Sequence, residues 1–257
     1  MILHGKMVGE GPPTVLLHGL FGTSINFGTI QRRLSTGRQI LALDLRNHGA
    51  SPHDPAMTYP IMAEDVLETM AHYGIGQAAL VGHSMGGKVS MHVALRAPER
   101  ITRLLIADIA PVPYPPRYDG IARAMLGLKL EPGLNRIRAD LALASAIPDP
   151  VMRAFLLQNL RLGAAPSWRI GLPEIAAALP DIEGWSAPPG RTYPGPTLVL
   201  RGEHSDYIKP EHRALFRALF PAVRFVTLRG AGHWLHADQP DAFTATLDGF
   251  LPKAQPA

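Results

Sequence analysis

Short apolar runs recur along this chain: TVLLHG (14–19), QILALDL (39–45), AALVGHS (78–84), RLLIADIA (103–110), TLVLRG (197–202) and VRFVTLRG (223–230). Most are continuous rather than alternating, the pattern of strands buried on both faces. Stretches with helical spacing lie between several of them, as in Ile61, Val66 and Met70, and again in Val89 and Val93. Strand, helix and strand in repetition dictates a mainly parallel sheet with helices on both faces, an α/β fold. MILHGKMV at the start adds an outer strand. With 257 residues and 46% hydrophobic content, the chain can bury one large core.

The rhythm breaks between residues 112 and 190. This stretch is rich in proline (PVPYPP, IPDP, APPG) and in helical Leu/Ala/Arg patterns, with no core strand. It reads as a helical cap, or lid, set on the sheet edge where open α/β sheets bind ligands. The expected organisation is a core of 1–111 and 191–257 with a 112–190 insertion, together forming one structural unit.

Composition excludes several classes. The chain has no cysteine, so disulfides and thiolate metal sites are out and nothing demands an oxidising compartment. The 25 Lys+Arg are scattered against 21 Asp+Glu, without the basic stripe or reading motif that nucleic-acid binding needs. The start lacks a basic segment followed by an apolar stretch of about 7–15 residues, and no apolar run approaches the roughly 20 residues of a membrane span. A soluble, cytoplasmic protein without a membrane span is the expectation. The 11 histidines form no His-x-x-x-His cluster, so neither a metal nor a cofactor is expected. The sequence sets no oligomeric state.

The chemistry centres on LVGHSMGGK (80–88). AALV is strand and MGGKVSMHVALRA is helical, which puts Ser84 on a strand-to-helix turn, the context that makes G-x-S-x-G a nucleophile motif. Close approach of strand and helix leaves no room for a Cβ at Gly82 or Gly86. The helix starting at Met85 aims free N–H groups and its positive end at the same place, which suits an oxyanion. Serine is a poor nucleophile unaided and needs a base from another loop. His233, in LRGAGHWLHADQP after the last strand, is the candidate; His236 reads as structural or surface. A tetrahedral intermediate needs two donors. Met85 N–H is one, and the loop after an early strand, LLHGLFG (16–22), offers Leu20 N–H, with Phe21 N–H as the alternative. His18 reads as a brace for that loop.

HGLFGTSINF, DLRNHGASP, GHSMGGK, DIAPVPY and AGHWLHADQPDAF together resemble the alpha/beta-hydrolase superfamily, and within it the YbfF-type bacterial esterases and their ABHD11-type relatives. The resemblance spans most of the chain and is weak in the cap. It implies the alpha/beta-hydrolase fold with a cap inserted after the sixth strand. It also implies a serine carboxylesterase acting on a small-molecule acyl ester or acyl-CoA thioester, with Ser84 as nucleophile and His233 as base. The loop of Arg46, Asn47, His48, Gly49 and Ser51 reads as architectural, and Asp44 as a loop cap. For the acid that orients His233, the residues leave Asp108 and Asp206 open, each just beyond a strand end. The resemblance favours Asp108, because the aspartate of DIAP recurs in YbfF-type esterases. Phe21, Tyr114 and Trp234 are the candidates for lining an acyl pocket, with Trp168 and Trp185 less favoured. A ligand sensor on the same fold, a carbon–carbon bond hydrolase and a perhydrolase remain alternatives to the esterase.

Overall fold

The computed structural model describes residues 1–254. In chain order, β1 (Gly5–Val8), β2 (Pro13–Leu17), α1 (Gly28–Leu34), β3 (Gln39–Leu43), α2 (Tyr59–His72), β4 (Ala78–His83), α3 (Met85–Arg96) and β5 (Ile101–Ala107) build the first part. Next come α4 (Asp119–Leu126), α5 (Arg136–Leu143), α6 (Pro150–Leu157), the two-residue strands β6 (Leu160–Arg161) and β7 (Ser167–Trp168), and α7 (Leu172–Glu183). The chain then returns through β8 (Thr197–Gly202), α8 (His212–Leu219), β9 (Val223–Leu228), α9 (Leu235–Asp238) and α10 (Pro240–Phe250).

Seven strands form one sheet in the order β1-β3-β2-β4-β5-β8-β9, parallel throughout except for antiparallel β1 at the edge. The fold is that of an alpha/beta hydrolase. Successive strand residues alternate between two cores, as the pleat requires. On β5, Leu104 and Ile106 pack with Val66 of α2 and Val89 of α3, whereas Leu105 and Ala107 pack with Ile30 of α1 and Phe243 of α10. Both faces are therefore covered, which is why the strands read as unbroken apolar runs. The helical insertion follows the fifth strand among the described residues, not the sixth, because the N-terminal edge carries only the four-residue β1.

This strand order also fixes where a site can form. The chain leaves β2 toward β3 on one side and returns to place β4 on the other, so the loops after β2 and β4 diverge and open a crevice at their carboxyl ends. The register aligns those ends: Leu17 pairs with Gly82, His83 with Ala107, and Ala107 with Leu200. Residues just beyond these pairs meet whatever their distance in sequence. The insertion is tied down beside the crevice. Lys88 of α3, buried, donates from Nζ to the Gly184 carbonyl at 2.6 Å, just past the end of α7. Tyr59 hydroxyl donates to the Ile182 carbonyl at 2.5 Å. Within the insertion itself, the Glu183 carboxylate accepts from the N–H groups of Arg117 (2.6 Å) and Tyr118 (3.0 Å) on the approach to α4, joining its two ends.

Candidate active site

Ser84 occupies the turn between β4 and α3 at φ 53°, ψ −122°, a left-handed conformation rare for a residue with a side chain. Such strain costs about 1–3 kcal/mol and persists only where the surroundings impose it. Here they do. Ser84 N–H is held by the Ala107 carbonyl at 2.9 Å, while its own carbonyl accepts from Gly87 and Lys88 at 2.8 and 3.2 Å. A Cβ on Gly82 would run into the Gly86 carbonyl, and one on Gly86 into the Leu17 carbonyl. The glycines thus let strand and helix approach closely enough to bend the chain at Ser84.

His233, on the loop between β9 and α9, brings Nε2 to 3.0 Å from Ser84 Oγ. Its Nδ1 lies 2.8 Å from Asp108 Oδ2. Asp108, fully buried at the end of β5 with φ 52°, accepts from Gly202 N–H at 3.0 Å through its other oxygen and also accepts from the Ser205 hydroxyl. With those partners arranged around an acceptor, His233 Nδ1 is the donor toward Asp108, and Nε2 faces Ser84 as an acceptor. Asp206 points elsewhere. It is exposed and paired with Arg117 at 2.9 Å, and that guanidinium holds its carboxyl below the usual aspartate range.

Several groups that the sequence reading did not single out hold this arrangement. Tyr207 stacks on the His233 ring, centroids 3.9 Å apart at 14°, and its hydroxyl lies 2.7 Å from that of Tyr118. His83, immediately before Ser84, donates from Nε2 to the His233 carbonyl at 2.8 Å. Ser205 and Tyr207 flank Asp206 in HSDYI. His83 sat within the motif itself.

The loop after β2 is braced as expected for His18, whose Nδ1 donates to the Gly19 carbonyl (2.7 Å) while Nε2 accepts from Leu45 N–H (3.0 Å). Phe21 N–H, the alternative donor, is already engaged by His48 Nε2 at 3.1 Å. His48, fully buried and donating through Nδ1 to the Arg46 carbonyl, is pushed down to about 3, chiefly by burial, and is therefore a neutral acceptor. Among the described residues Leu20 N–H has no such partner, and Met85, at the first position of α3, has none available within the helix. A recess of about 30 Å³, the space of roughly one water molecule, opens beside Ser84 and is bordered by Leu20 and Met85. The Asn159 side chain, buried just past α6, donates to the Phe21 carbonyl at 2.8 Å and fastens this loop to the insertion. Arg46 clasps Asp65 in a buried bidentate pair, and Asp44 accepts from Ser24 and Ala50 N–H groups, so both serve the loops as read.

In front of Ser84 lies a cleft of about 200 Å³. Phe21 and Trp234 line it, joined by Tyr118, Met152 and Phe155. His236 also borders it rather than the outer surface, and burial pushes its ring down to about 4. Tyr114 does not line the cleft. Its hydroxyl donates to the Tyr207 carbonyl at 2.7 Å and accepts from Ala110 N–H at 2.9 Å, so the ring braces the loop behind and borders only the small recess. Trp168 and Trp185 also lie away from the cleft: one donates to the Met125 carbonyl, the other packs edge-on against His92.

The geometry can be set beside known proteins. The alpha/beta hydrolase fold family matches residues 12–240. The chain is 41% identical over 253 residues to the sn-1-specific diacylglycerol lipase ABHD11 of Xenopus laevis, covering 95% of this chain and 81% of that one. It is 37% identical to Esterase YbfF of Escherichia coli, over 93% of this chain and 92% of the relative. Among solved structures, a marine microorganism esterase superposes with a TM-score of 0.94 at 33% identity, over 97% of this chain and 99% of the other.

Proposed function

Because the chain belongs to the alpha/beta hydrolase family, we propose that it is a serine carboxylesterase, cleaving acyl esters or acyl thioesters through an acyl-enzyme on Ser84. Relatives named esterase and lipase over almost the whole chain support ester hydrolysis. The observation that carries the mechanism is the unbroken relay from Ser84 Oγ to His233 Nε2 at 3.0 Å and from His233 Nδ1 to Asp108 Oδ2 at 2.8 Å.

In this reading His233 takes the Ser84 proton as Oγ attacks the ester carbonyl. Asp108 fixes the tautomer and stabilises the imidazolium, remaining ionised throughout. The oxyanion forms where Leu20 and Met85 N–H groups are free to donate, and each donor of this kind is worth about 10²–10³ in kcat. His233 returns the proton to the departing alcohol or thiol, leaving the acyl group on Ser84. Water then enters, is deprotonated by the same histidine, and releases the acid. The 112–190 segment acts as a cap: α6 walls the cleft, while Lys88, Tyr59 and Asn159 hold the segment to the core. The proposal is tested with p-nitrophenyl butyrate. The protein turns it over and Ser84→Ala loses about 10⁶ in kcat; wild-type-like turnover by the variant rules the mechanism out.

A further inference from the structure

We propose that the cleft selects uncharged acyl chains of short to medium length, and that Phe155 of α6 sets the limit. The inference rests on the serine-esterase reading above and adds the acyl class to it. Volume is the first observation. The cleft offers about 200 Å³, and since a methylene takes roughly the ~30 Å³ of a water molecule, it is filled by about six or seven carbons. A longer chain has to displace the wall or leave through the mouth.

The wall is built to resist displacement. Met152 and Phe155 stand three positions apart on α6 and so share one face, the face that lines the cleft. Phe155 packs against Trp234, ring centroids 5.6 Å apart. The helix is pinned at both ends. At its start Asp149 caps Val151 N–H at 2.9 Å, and Arg153 binds Asp140 at 2.7 Å and the Ile147 carbonyl at 2.9 Å. Just past its end, the Asn159 amide holds the Phe21 carbonyl. Moving Phe155 outward therefore means breaking polar contacts at both ends of α6, the one at its end buried.

Charge is the second observation. Among the described residues, the lining contains no Lys, Arg, Asp or Glu. Arg117, the cation stacked over Tyr207, is committed to Asp206 and lies outside this lining. An acyl tail ending in a carboxylate would be buried without a counter-ion, which is costly. Neutral alkanoyl groups fit the same surface.

The test is kcat/KM on soluble p-nitrophenyl esters of the butyryl, hexanoyl, octanoyl, decanoyl and lauroyl groups, with the hemisuccinyl ester as a charged butyryl counterpart. Each methylene that fits should raise kcat/KM by about fourfold. The wild type should peak at hexanoyl or octanoyl, and lauroyl should fall at least about tenfold below the peak, the loss of two or more buried methylenes. The hemisuccinyl ester should be at least about a hundredfold slower than butyryl. Phe155→Ala, or Phe155→Leu if the larger truncation misfolds, should move the peak to decanoyl or beyond, and Phe155→Trp should shorten it. Lauroyl turned over as fast as hexanoyl by the wild type, or a peak unmoved in all three variants, overturns the proposal while Ser84-dependent hydrolysis still stands. No Ser84-dependent turnover of any ester would instead overturn the esterase reading, and this proposal with it.

Discussion

Lowering the pH from neutral should unfold this protein well before its carboxylates are protonated, because five histidines, four of them buried and His236 half-buried at the cleft, are held as neutral rings. His18, His48, His83, His92 and His236 are all shifted below the ordinary value of 6.5, in each case chiefly by burial; His48 lies at about 3, and His92 and His236 at about 4. Their hydrogen bonds explain the cost of charging them. His18 and His48 each accept a backbone N–H through Nε2, and a proton there would replace an acceptor with a donor facing another donor. The sign follows from linkage. The unfolded chain takes up these protons near 6.5 and the folded chain does not, so stability is complete above that value and is lost as the pH falls toward the folded values. Between about pH 7 and pH 5, a ring held near 4 or below loses about 2 kcal/mol of stabilisation. The three rings with values near 3 or 4 then remove about 6 kcal/mol, against a total stability of roughly 5–15 kcal/mol for a typical domain. Urea titrations followed by tryptophan fluorescence at pH 7, 6 and 5 measure this directly. His92→Phe gives the control: His92 Nε2 is buried with no partner among the described residues and the ring stacks on Tyr59, so the variant should keep its packing and lose about one proton, ~1.4 kcal/mol per pH unit, from the slope. Unfolding free energies that agree within about 1 kcal/mol across this range would refute the reasoning.

Asn159 touches no reacting atom and acts as a positioning residue. Asn159→Ala frees the Phe21 carbonyl and should lower kcat about tenfold to a hundredfold with little change in KM, since the Leu20 donor matters only once the oxyanion forms, whereas a purely structural role would lower the melting temperature without that split. For the two aspartates, Asp108→Asn should cost around 10⁴ in kcat, while Asp206→Asn, which breaks only an exposed pair with Arg117, should stay within about tenfold. Steady-state kinetics on a neutral p-nitrophenyl ester reads both.

Much of this architecture was legible because a parallel sheet makes sequence-distant strand ends coincide. The unbroken apolar runs mark the strands, and motifs at strand ends put Ser84, His233 and both candidate aspartates at one sheet edge. The choice between Asp108 and Asp206 needed the family resemblance, since both follow strands and spacing alone is blind to which way a side chain turns. In the structure Asp206 faces Arg117 from the insertion, a contact between segments 89 residues apart that carries no periodic signal. The same limit hid Asn159, Phe155 and Met152. Met152 and Phe155 lie on α6 and Asn159 just past it, and nothing in PVMRAFLL says which face of the helix meets the cleft. Tyr114 was misread for a related reason: an aromatic beside a motif suits a pocket, but its hydroxyl found two backbone partners and turned the ring into a brace. Phe21 N–H was lost as a donor to a histidine 27 residues away, in a loop that the sequence marked only as architectural.

The central claim is that Ser84 carries the acyl group, and covalent trapping tests it most directly. The protein is treated with a fluorophosphonate, its hydrolysis of p-nitrophenyl butyrate is followed to completion of inactivation, and the modified residue is mapped by peptide mass spectrometry. The account predicts one phosphonyl group per chain, on Ser84, with activity lost in proportion to labelling and no labelling of Ser84→Ala. An adduct on any other residue, or full activity in protein labelled at Ser84, would contradict it.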